Sequence, residues 1–271
     1  MQRPAGPHTL RYDAGASAYD RLTGRWSRMY VDRVLDAASV MSGSRVLDVA
    51  TGTGDAALAA GERVGTTGAV IGVDISVPML HEAQMKSTGQ AIEFVAADAQ
   101  DLPFDDATFD AAICLFGVMF FPDRAAALAG LRRLLIPGAR FAMTAWATPE
   151  EVPFAGLVAQ ALGDELPTDR ADLLRPFSLS DSNAIVTLLR DAGFRDVQAT
   201  AEVRQSTFQS FDDDFWEPIE AGGGRLGQAY LGLKPEQRAA VRQRVLHRLP
   251  QAAGSDAFSL THKAWVVVGT A

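Results

Sequence analysis

The stretch VLDVATGTGD at residues 46–55 constrains this chain more than any other feature. An apolar strand pattern runs through Asp48 into a turn that contains Gly52 and Gly54, and a helical pattern begins at Asp55. Glycines allow positive φ angles and a close approach of the backbone to a ligand, and the first N–H groups of a helix can bind an anion or a carboxylate. Such a strand–turn–helix unit is typical of α/β proteins that bind an adenosine-containing cofactor.

The turn alone leaves two cofactors open. Gly52, Gly54 and Ala57 fit the dinucleotide fingerprint G-x-G-x-x-G/A. Asp74 follows the second apolar strand pattern, where an acid binds ribose hydroxyls in either class of enzyme. A nicotinamide dinucleotide and S-adenosylmethionine are therefore both compatible with this part of the sequence.

Three further features favour S-adenosylmethionine. Asp48 can order the turn and lie near the positively charged methionyl end, whereas a carboxylate facing a pyrophosphate would be unfavourable. Asp98, in the segment AADAQDLPF, places an acid where the amino group of adenine needs an acceptor. The segment LLIPGA at residues 134–139 predicts a turn before the fifth strand pattern. Enzymes that use S-adenosylmethionine continue from this place toward a reversed last strand.

Short apolar strand patterns alternate with helical patterns, which predicts an α/β fold with helices on both faces of a mostly parallel sheet. The predicted strands are residues 45–49, 70–74, 92–96, 109–115, 139–146, 197–208 and 258–268. The predicted helices are residues 55–64, 78–87, 124–135, 154–162, 180–192, 211–220 and 235–249.

The length of 271 residues suits one domain with a lid. We expect a single domain over residues 1–271, with an N-terminal tail and cap helices at 1–43 and a cofactor-binding core at 44–146. Residues 147–180 and 209–250 are candidate cover segments, and aromatic side chains outside the cofactor motifs suit a hydrophobic acceptor. Tyr19 and Arg25 could close over the cofactor or simply belong to a packed surface helix.

The amino-acid composition limits the kinds of partner that the chain can bind. A net charge of −8 and a pI near 5.0 argue against a nucleic-acid partner. No apolar stretch is long enough to insert into a membrane and no secretory signal is visible, so a cytoplasmic location is expected. The single cysteine, Cys114, lies in an apolar run typical of a core, and the four histidines show no metal-ligand spacing. Oligomeric state is left open, with a homodimer as one option.

Five motifs in this order resemble the class I S-adenosylmethionine-dependent methyltransferases. They are residues 46–55, 72–76, 98–104, 109–118 and 134–138. Within that class the chain is most similar to the small-molecule branch and to the ubiquinone/menaquinone C-methyltransferase-like (type 11) group. The resemblance implies a Rossmann-like, seven-stranded sheet of order 3-2-1-4-5-7-6 with an antiparallel last strand, a helical substrate cover, and S-adenosylmethionine as cofactor.

The resemblance also implies roles for individual residues. Gly52, Thr53 and Gly54 would contact the methionyl part. Asp74 would bind the ribose hydroxyls, and Ile75 would cover one adenine face. Asp98, Ala99 and Leu115 complete the expected set, with the first two at the adenine edge and Leu115 beside the reactive end of the cofactor.

The motifs depart from the family pattern at two places. Ala50 stands where many relatives have glycine, although the quinone-type motif also carries alanine there. Ala139 replaces the second glycine of a Pro-Gly-Gly turn.

The resemblance implies methyl transfer to a small, hydrophobic acceptor at oxygen or carbon, with a quinone-, polyketide- or terpenoid-like metabolite as the acceptor class. In-line transfer needs positioning more than a fixed set of catalytic groups, and no spacing in the sequence selects a general base. Two alternatives remain. One is a methyltransferase-fold protein that uses the cofactor for another reaction, such as a cyclisation, and the other is an NAD-dependent oxidoreductase.

Overall fold

The computed structural model describes residues 24–87, 90–249 and 257–271, and its centre is one seven-stranded sheet. The order is β3-β2-β1-β4-β5-β7-β6, in which β1 to β5 pair in parallel and β7 runs antiparallel to both of its neighbours. This confirms the predicted order and the reversed last strand. The strands are β1 (Arg45–Val49), β2 (Ala69–Asp74), β3 (Ile92–Ala96), β4 (Phe109–Cys114), β5 (Leu135–Trp146), β6 (Arg195–Phe208) and β7 (Phe258–Thr270).

Helices lie on both faces of the sheet and over its carboxyl edge. Short helical turns at Arg25–Ser27 and Arg28–Tyr30 lead into the first helix, and a π-helix at Phe211–Trp216 leads into the eighth. No helix in the described part of the chain is long and apolar enough to cross a membrane. The helices are α1 (Val31–Ala37), α2 (Asp55–Val64), α3 (Val77–Lys86), α4 (Arg124–Leu134), α5 (Pro153–Glu165), α6 (Arg170–Leu173), α7 (Ser182–Asp191), α8 (Glu217–Glu220), α9 (Gly224–Leu231) and α10 (Pro235–Arg248).

Polar side chains fix where three of these helices begin. Ser76 accepts a hydrogen bond from the backbone of Met79 at the start of α3. Asp123 and Asp181 cap α4 and α7 in the same way. A cap satisfies N–H groups that have no partner inside the helix, and its loss costs about 0.5–2 kcal/mol.

The central strands are apolar on both faces because helices cover both faces. Val46 and Val70 pack with Val34 of α1 on one face. Leu47 of β1 packs with Leu128 of α4 on the other. Full burial of such a side chain contributes about 1.5–3 kcal/mol relative to exposure.

The structure moves some predicted boundaries. β5 begins at Leu135 rather than at residue 139, because Leu135 already pairs with Phe109 of β4. The predicted Pro-Gly turn lies inside this strand, where Gly138 takes a φ of +87° and the register with β4 shifts. β4 ends one residue earlier than predicted, so that Leu115 belongs to the loop at the carboxyl edge.

Candidate functional site

A cavity of about 290 Å³ opens at the carboxyl ends of β1, β2, β3 and β4. Sheets of this kind bind ligands at the carboxyl edge, where the strand order reverses, and β1 and β4 are the neighbouring strands at that point. A second, more open depression of about 530 Å³ lies at the opposite edge beside Gly43, Asp110 and Pro137. None of the sequence-predicted site residues lines that depression.

Most of the sequence-predicted site residues meet at the first cavity. The ones on its wall are Ala50, Gly52, Asp74, Ile75, Asp98, Ala99 and Leu115. Asp48, Thr53 and Gly54 do not line it. Asp48 and Thr53 are buried, and Gly54 occupies the N-cap position of α2.

The turn after β1 is held in an unusual backbone conformation. Ala50, Gly52 and Gly54 have φ angles of +58°, +56° and +88°. At Gly54 a Cβ atom would lie 2.8 Å from the Cβ of Ala83, so that only glycine fits between the turn and α3. A hydrogen bond of 2.9 Å from the Thr51 N–H to the Val73 carbonyl ties the turn to the end of β2.

Asp48 supports this turn from the interior. Its Oδ2 accepts a 2.6 Å hydrogen bond from the Thr51 hydroxyl, and the side chain is 1% exposed. Burial raises the pKa of Asp48 to about 7, although the bond from Thr51 opposes the shift. The carboxyl group therefore titrates near neutral pH, where a nearby positive charge would favour its ionised form.

Asp74 links the end of β2 to the same turn. Its two carboxylate oxygens accept hydrogen bonds from the backbone N–H groups of Gly52 at 2.8 Å and Ser76 at 2.9 Å. Each carboxylate oxygen can accept more than one bond, so this geometry also suits hydroxyl donors in the cavity. The next side chain, Ile75, is 53% exposed and presents apolar surface on the same wall.

Asp98 lies in the neighbouring loop after β3. It accepts hydrogen bonds from the backbone N–H of Gln100 at 2.9 Å and from its side-chain amide at 3.1 Å. The Gln100 side-chain oxygen Oε1 in turn accepts from the backbone N–H of Asp123 at 2.8 Å, which anchors the loop to the start of α4. Two oriented carboxylates, an apolar residue between them and a glycine turn form a donor and acceptor set that fits an adenosine with a polar tail.

The loop after β4 forms the other side of the cavity. Phe116 has a φ of +51°, and its N–H donates to the Thr144 hydroxyl at 2.9 Å. At Gly117 a Cβ atom would lie 2.6 Å from both the Cβ of Ala50 and the sulfur of Cys114. Ala50 in the turn after β1 and Gly117 in the loop after β4 therefore pack closely against each other.

Most aromatic side chains outside the cofactor motifs form core and not cavity wall. Trp146 stacks on Phe116, which lines the cavity, with ring centroids 3.9 Å apart, and Trp26 stacks on Phe154 at 4.4 Å. Trp26, Trp146 and Phe154 are buried. Phe120 and Phe121, in contrast, line the cavity and supply the apolar surface expected beside an acceptor.

His262, one of the four histidines, is completely buried behind this aromatic core. Its Nδ1 lies 2.9 Å from the Tyr30 hydroxyl, and its Nε2 lies 2.9 Å from the Ser206 hydroxyl. Burial, with a smaller contribution from Arg204, lowers the pKa of His262 to about 4. The imidazole is therefore neutral at physiological pH and does not line the cavity.

Of the two residues proposed to close over the cofactor, the structure describes only Arg25. Tyr19 lies outside the described residues. Arg25 forms an ion pair with Asp214 and donates to the Thr207 carbonyl at 2.7 Å. Its guanidinium lies over the rings of Trp26 and Phe208, so it joins the N-terminal segment to the π-helix region.

Sequence reasoning missed two arginines on the cavity wall. Arg175 lies in the short helical turn Arg175–Phe177, and Arg225 lies in the first turn of α9. Asp172 forms an ion pair with each of them. Neither arginine belongs to a motif, and only the folded chain brings both candidate cover segments to the cavity.

Comparisons with known proteins place these features in a family. The sequence pattern of the ubiE/COQ5 methyltransferase family matches residues 13–159. Aklanonic acid methyltransferase DauC from Streptomyces sp. (strain C5) is 32% identical over 215 residues, which covers 73% of this chain and 94% of DauC. A demethylmenaquinone methyltransferase from Thermus thermophilus is 43% identical over 137 residues, which covers 49% of this chain and only 59% of that enzyme.

Solved structures share the fold. The YcgJ protein from Bacillus subtilis superposes with a TM-score of 0.60 and 20% identity, covering 89% of this chain and 97% of that one. The cyclase SpnF also has a TM-score of 0.60, with 17% identity over 97% of this chain and 94% of SpnF. At these identities the likeness shows the fold alone, and one fold can carry different chemistry.

Proposed function

The chain belongs to the ubiE/COQ5 methyltransferase family, and on that premise we propose that it transfers the methyl group of S-adenosylmethionine to oxygen or carbon of a small hydrophobic acceptor. Membership of the family decides between the two cofactors that the glycine turn left open. The observation that carries the proposal is the cavity wall, which joins Asp74 and Asp98 on one side to Leu115 and Phe120 on the other.

Residues of the strand ends would hold the cofactor. We assign the ribose hydroxyls to Asp74, the adenine edge to Asp98 and Ala99, and one face of the adenine to Ile75. Gly52 would lie against the methionyl part. Asp48 would act from beneath the turn, where its buried carboxyl group responds to the positive charge of the cofactor.

The bound cofactor supplies an electrophilic methyl group on a positively charged sulfur. The contribution of the chain is to align the acceptor with that group and to exclude water. Among the described residues on the cavity wall, the ionisable side chains are Asp74, Asp98, Arg175 and Arg225. Because the two acids are assigned to the cofactor and arginine does not act as a base, we expect the acceptor's own ionisation to supply the nucleophile.

The acceptor class follows from the apolar wall and from the relatives. Leu115, Phe120 and Phe121 present hydrophobic surface, which suits a flat, largely apolar molecule. One relative is named for aklanonic acid and another for demethylmenaquinone. We therefore propose a quinone-like or polyketide-like acceptor, covered by residues 147–180 and 209–250.

The test is transfer of label from methyl-labelled S-adenosylmethionine. The purified chain is incubated with lipophilic phenols, quinones and polycyclic aromatic compounds, and labelled products are separated and identified. We expect a labelled product from at least one quinone-like or polycyclic compound. Binding of S-adenosylhomocysteine without label transfer across a wide panel would contradict the proposal and favour a non-methylating reaction.

A further inference from the structure

The two arginines of the cavity lie on the side opposite the acids assigned to the cofactor. The strand order places β2 and β3 on one side of β1, and β4 and β5 on the other. Asp74 and Asp98 follow β2 and β3. The turn that carries Arg175 packs against β5 and against the Val118–Phe120 turn that follows β4. The cavity is therefore acidic on the cofactor side and basic where an acceptor would lie.

Arg225 is buried, although it carries a permanent charge. The residue is 7% exposed, and its side chain forms an ion pair with Asp172. Asp172 also pairs with Arg175 at 3.4 Å. On this side of the cavity the lining side chains comprise the two guanidinium groups and otherwise only apolar residues. Charged groups are costly to bury, and a second anion beside these guanidinium groups would offset part of that cost.

Glycines build the position that Arg225 occupies. Gly222 and Gly224 have φ angles of +79° and +57°, and the Gly223 N–H donates to the Pro218 carbonyl at 2.9 Å. At Gly227 a Cβ atom would lie 2.5 Å from the carbonyl carbon of Gly222. The first turn of α9 therefore packs directly on the preceding loop, and this contact fixes where Arg225 enters the cavity.

A third arginine adds to the positive charge. Arg124 donates to the Met119 carbonyl at 2.8 Å and to the Ser178 hydroxyl at 2.6 Å. Burial, together with the charge of Arg175, lowers the pKa of Arg124. Three cationic groups thus lie around the side of the cavity that faces β4 and β5.

We infer that the acceptor carries a carboxylate, which Arg225 and Arg175 hold while Leu115 and Phe121 contact its apolar part. A guanidinium group matches a carboxylate through two parallel hydrogen bonds, which orients the ligand as well as binding it. The carboxylate acts as the anchor that aligns the acceptor. This inference rests on the proposed function, since it names the acceptor class of the same cavity.

The test compares acids with their uncharged counterparts. Anthraquinone-2-carboxylic acid and a series of hydroxynaphthoic acids are titrated calorimetrically against the chain saturated with S-adenosylhomocysteine, and the matching carboxamides are titrated in parallel. We expect at least one acid to bind about tenfold to a hundredfold more tightly than its amide. Arg225→Gln and Arg175→Gln should reduce that ratio to near one.

One control and one fallback variant make the result interpretable. Arg170→Gln removes a charge from the same cover segment, but Arg170 pairs with Asp164 and does not line the cavity, so the ratio should stay unchanged. If Arg225→Gln fails to fold, the double variant Arg225→Gln/Asp172→Asn removes both members of the buried pair. Its acid-to-amide ratio is then the quantity compared.

Three results would overturn the inference. The first is equal affinity for acids and amides in the unmodified chain, and the second is no affinity for any acid in the series. The third is a tenfold or greater loss of S-adenosylhomocysteine affinity in both arginine variants, which would assign the arginines to the carboxylate of the cofactor. Label transfer to neutral acceptors would leave the proposed function intact in each of these cases, so the two failures are distinguishable.

Discussion

The two sides of the cavity are built by different kinds of contact. On the side proposed for the cofactor, carboxylates bind backbone N–H groups close in the chain, as Asp74 does with Ser76 and Asp98 with Gln100, or on the neighbouring strand end, as Asp74 does with Gly52. On the side of the two candidate cover segments, the ion pair between Arg225 and Asp172 joins segments that are distant in the chain. The residues on the side proposed for the cofactor lie at the ends of neighbouring parallel strands. The residues on the side of the candidate cover segments come together only when distant parts of the chain pack against each other.

The buried His262 is also held by contacts between segments that are distant in the chain. The contacts among Tyr30, Ser206 and His262 join the N-terminal segment, β6 and β7. A neutral imidazole has one donor and one acceptor, and each neighbouring hydroxyl can play either role. The two hydroxyls can therefore satisfy both ring nitrogens, and it is the burial of the imidazole that disfavours its charged form.

The largest predicted effect is on stability and depends on this histidine. The pKa of His262 falls from 6.5 to about 4 on folding, so the unfolded chain binds the extra proton between these values. Stability from His262 is complete above pH 6.5 and is lost as the pH falls toward 4. The unfolding free energy of the unmodified chain, minus that of His262→Phe, should therefore rise by about 3 kcal/mol across this interval.

Urea denaturation at a series of pH values measures this difference. The raised pKa of Asp48 acts in the opposite direction, because its stabilising contribution is lost as the pH rises toward 7. That contribution is present in both proteins and cancels in the comparison. His247 is exposed, and His247→Gln serves as the control that should leave the pH profile unchanged. Parallel profiles for the unmodified chain and His262→Phe would contradict the prediction.

The second prediction concerns the cofactor side. Asp74→Ala should weaken S-adenosylhomocysteine binding by about 1–3 kcal/mol, the scale of a hydrogen bond to a charged group. Calorimetry measures the loss, and Asp105→Ala is the matched control because Asp105 is an exposed acid away from the cavity.

A 2′-deoxyribose analogue of the ligand separates two roles of Asp74. If Asp74 binds the ribose, removing the hydroxyl should weaken binding to the unmodified chain and have little effect on Asp74→Ala. Equal losses in both proteins would mean that Asp74 acts only by holding Gly52 and the turn.

The same division explains what the sequence could predict. The motifs at consecutive strand ends carry the family resemblance, that resemblance implies the sheet order, and the structure confirms it. Seven of the predicted site residues reach one cavity because the carboxyl ends of neighbouring parallel strands meet at one edge. Local hydrogen-bond partners and glycine conformations leave patterns within a few residues, so sequence reasoning can find them.

The cover side has no such local pattern. Arg175 lies three residues after Asp172, a spacing that can pair them, but nothing in the chain indicates that Arg225, beyond α7, β6 and α8, will pair with the same carboxylate. Three consecutive glycines at residues 222–224 are typical of a flexible break, yet here they form a tight turn that places Arg225. Contacts between distant segments depend on how the helices pack, and spacing along the chain does not encode that.

The smallest predicted effect lies where the two loops of the cavity meet. Ala50 is held at a φ of +58°, which costs a residue with a Cβ atom about 1–2 kcal/mol. Glycine removes this strain but gives the unfolded chain more freedom, which costs about 0.4–1 kcal/mol. Ala50→Gly should therefore raise the unfolding free energy by about 0.5–1 kcal/mol, as measured by urea denaturation.

Gly117→Ala tests the contact between the two loops, because its added methyl would meet the Ala50 methyl at 2.6 Å. We expect Gly117→Ala to destabilise the unmodified chain more than it destabilises Ala50→Gly, and equal losses in the two backgrounds would show that the loops do not depend on each other.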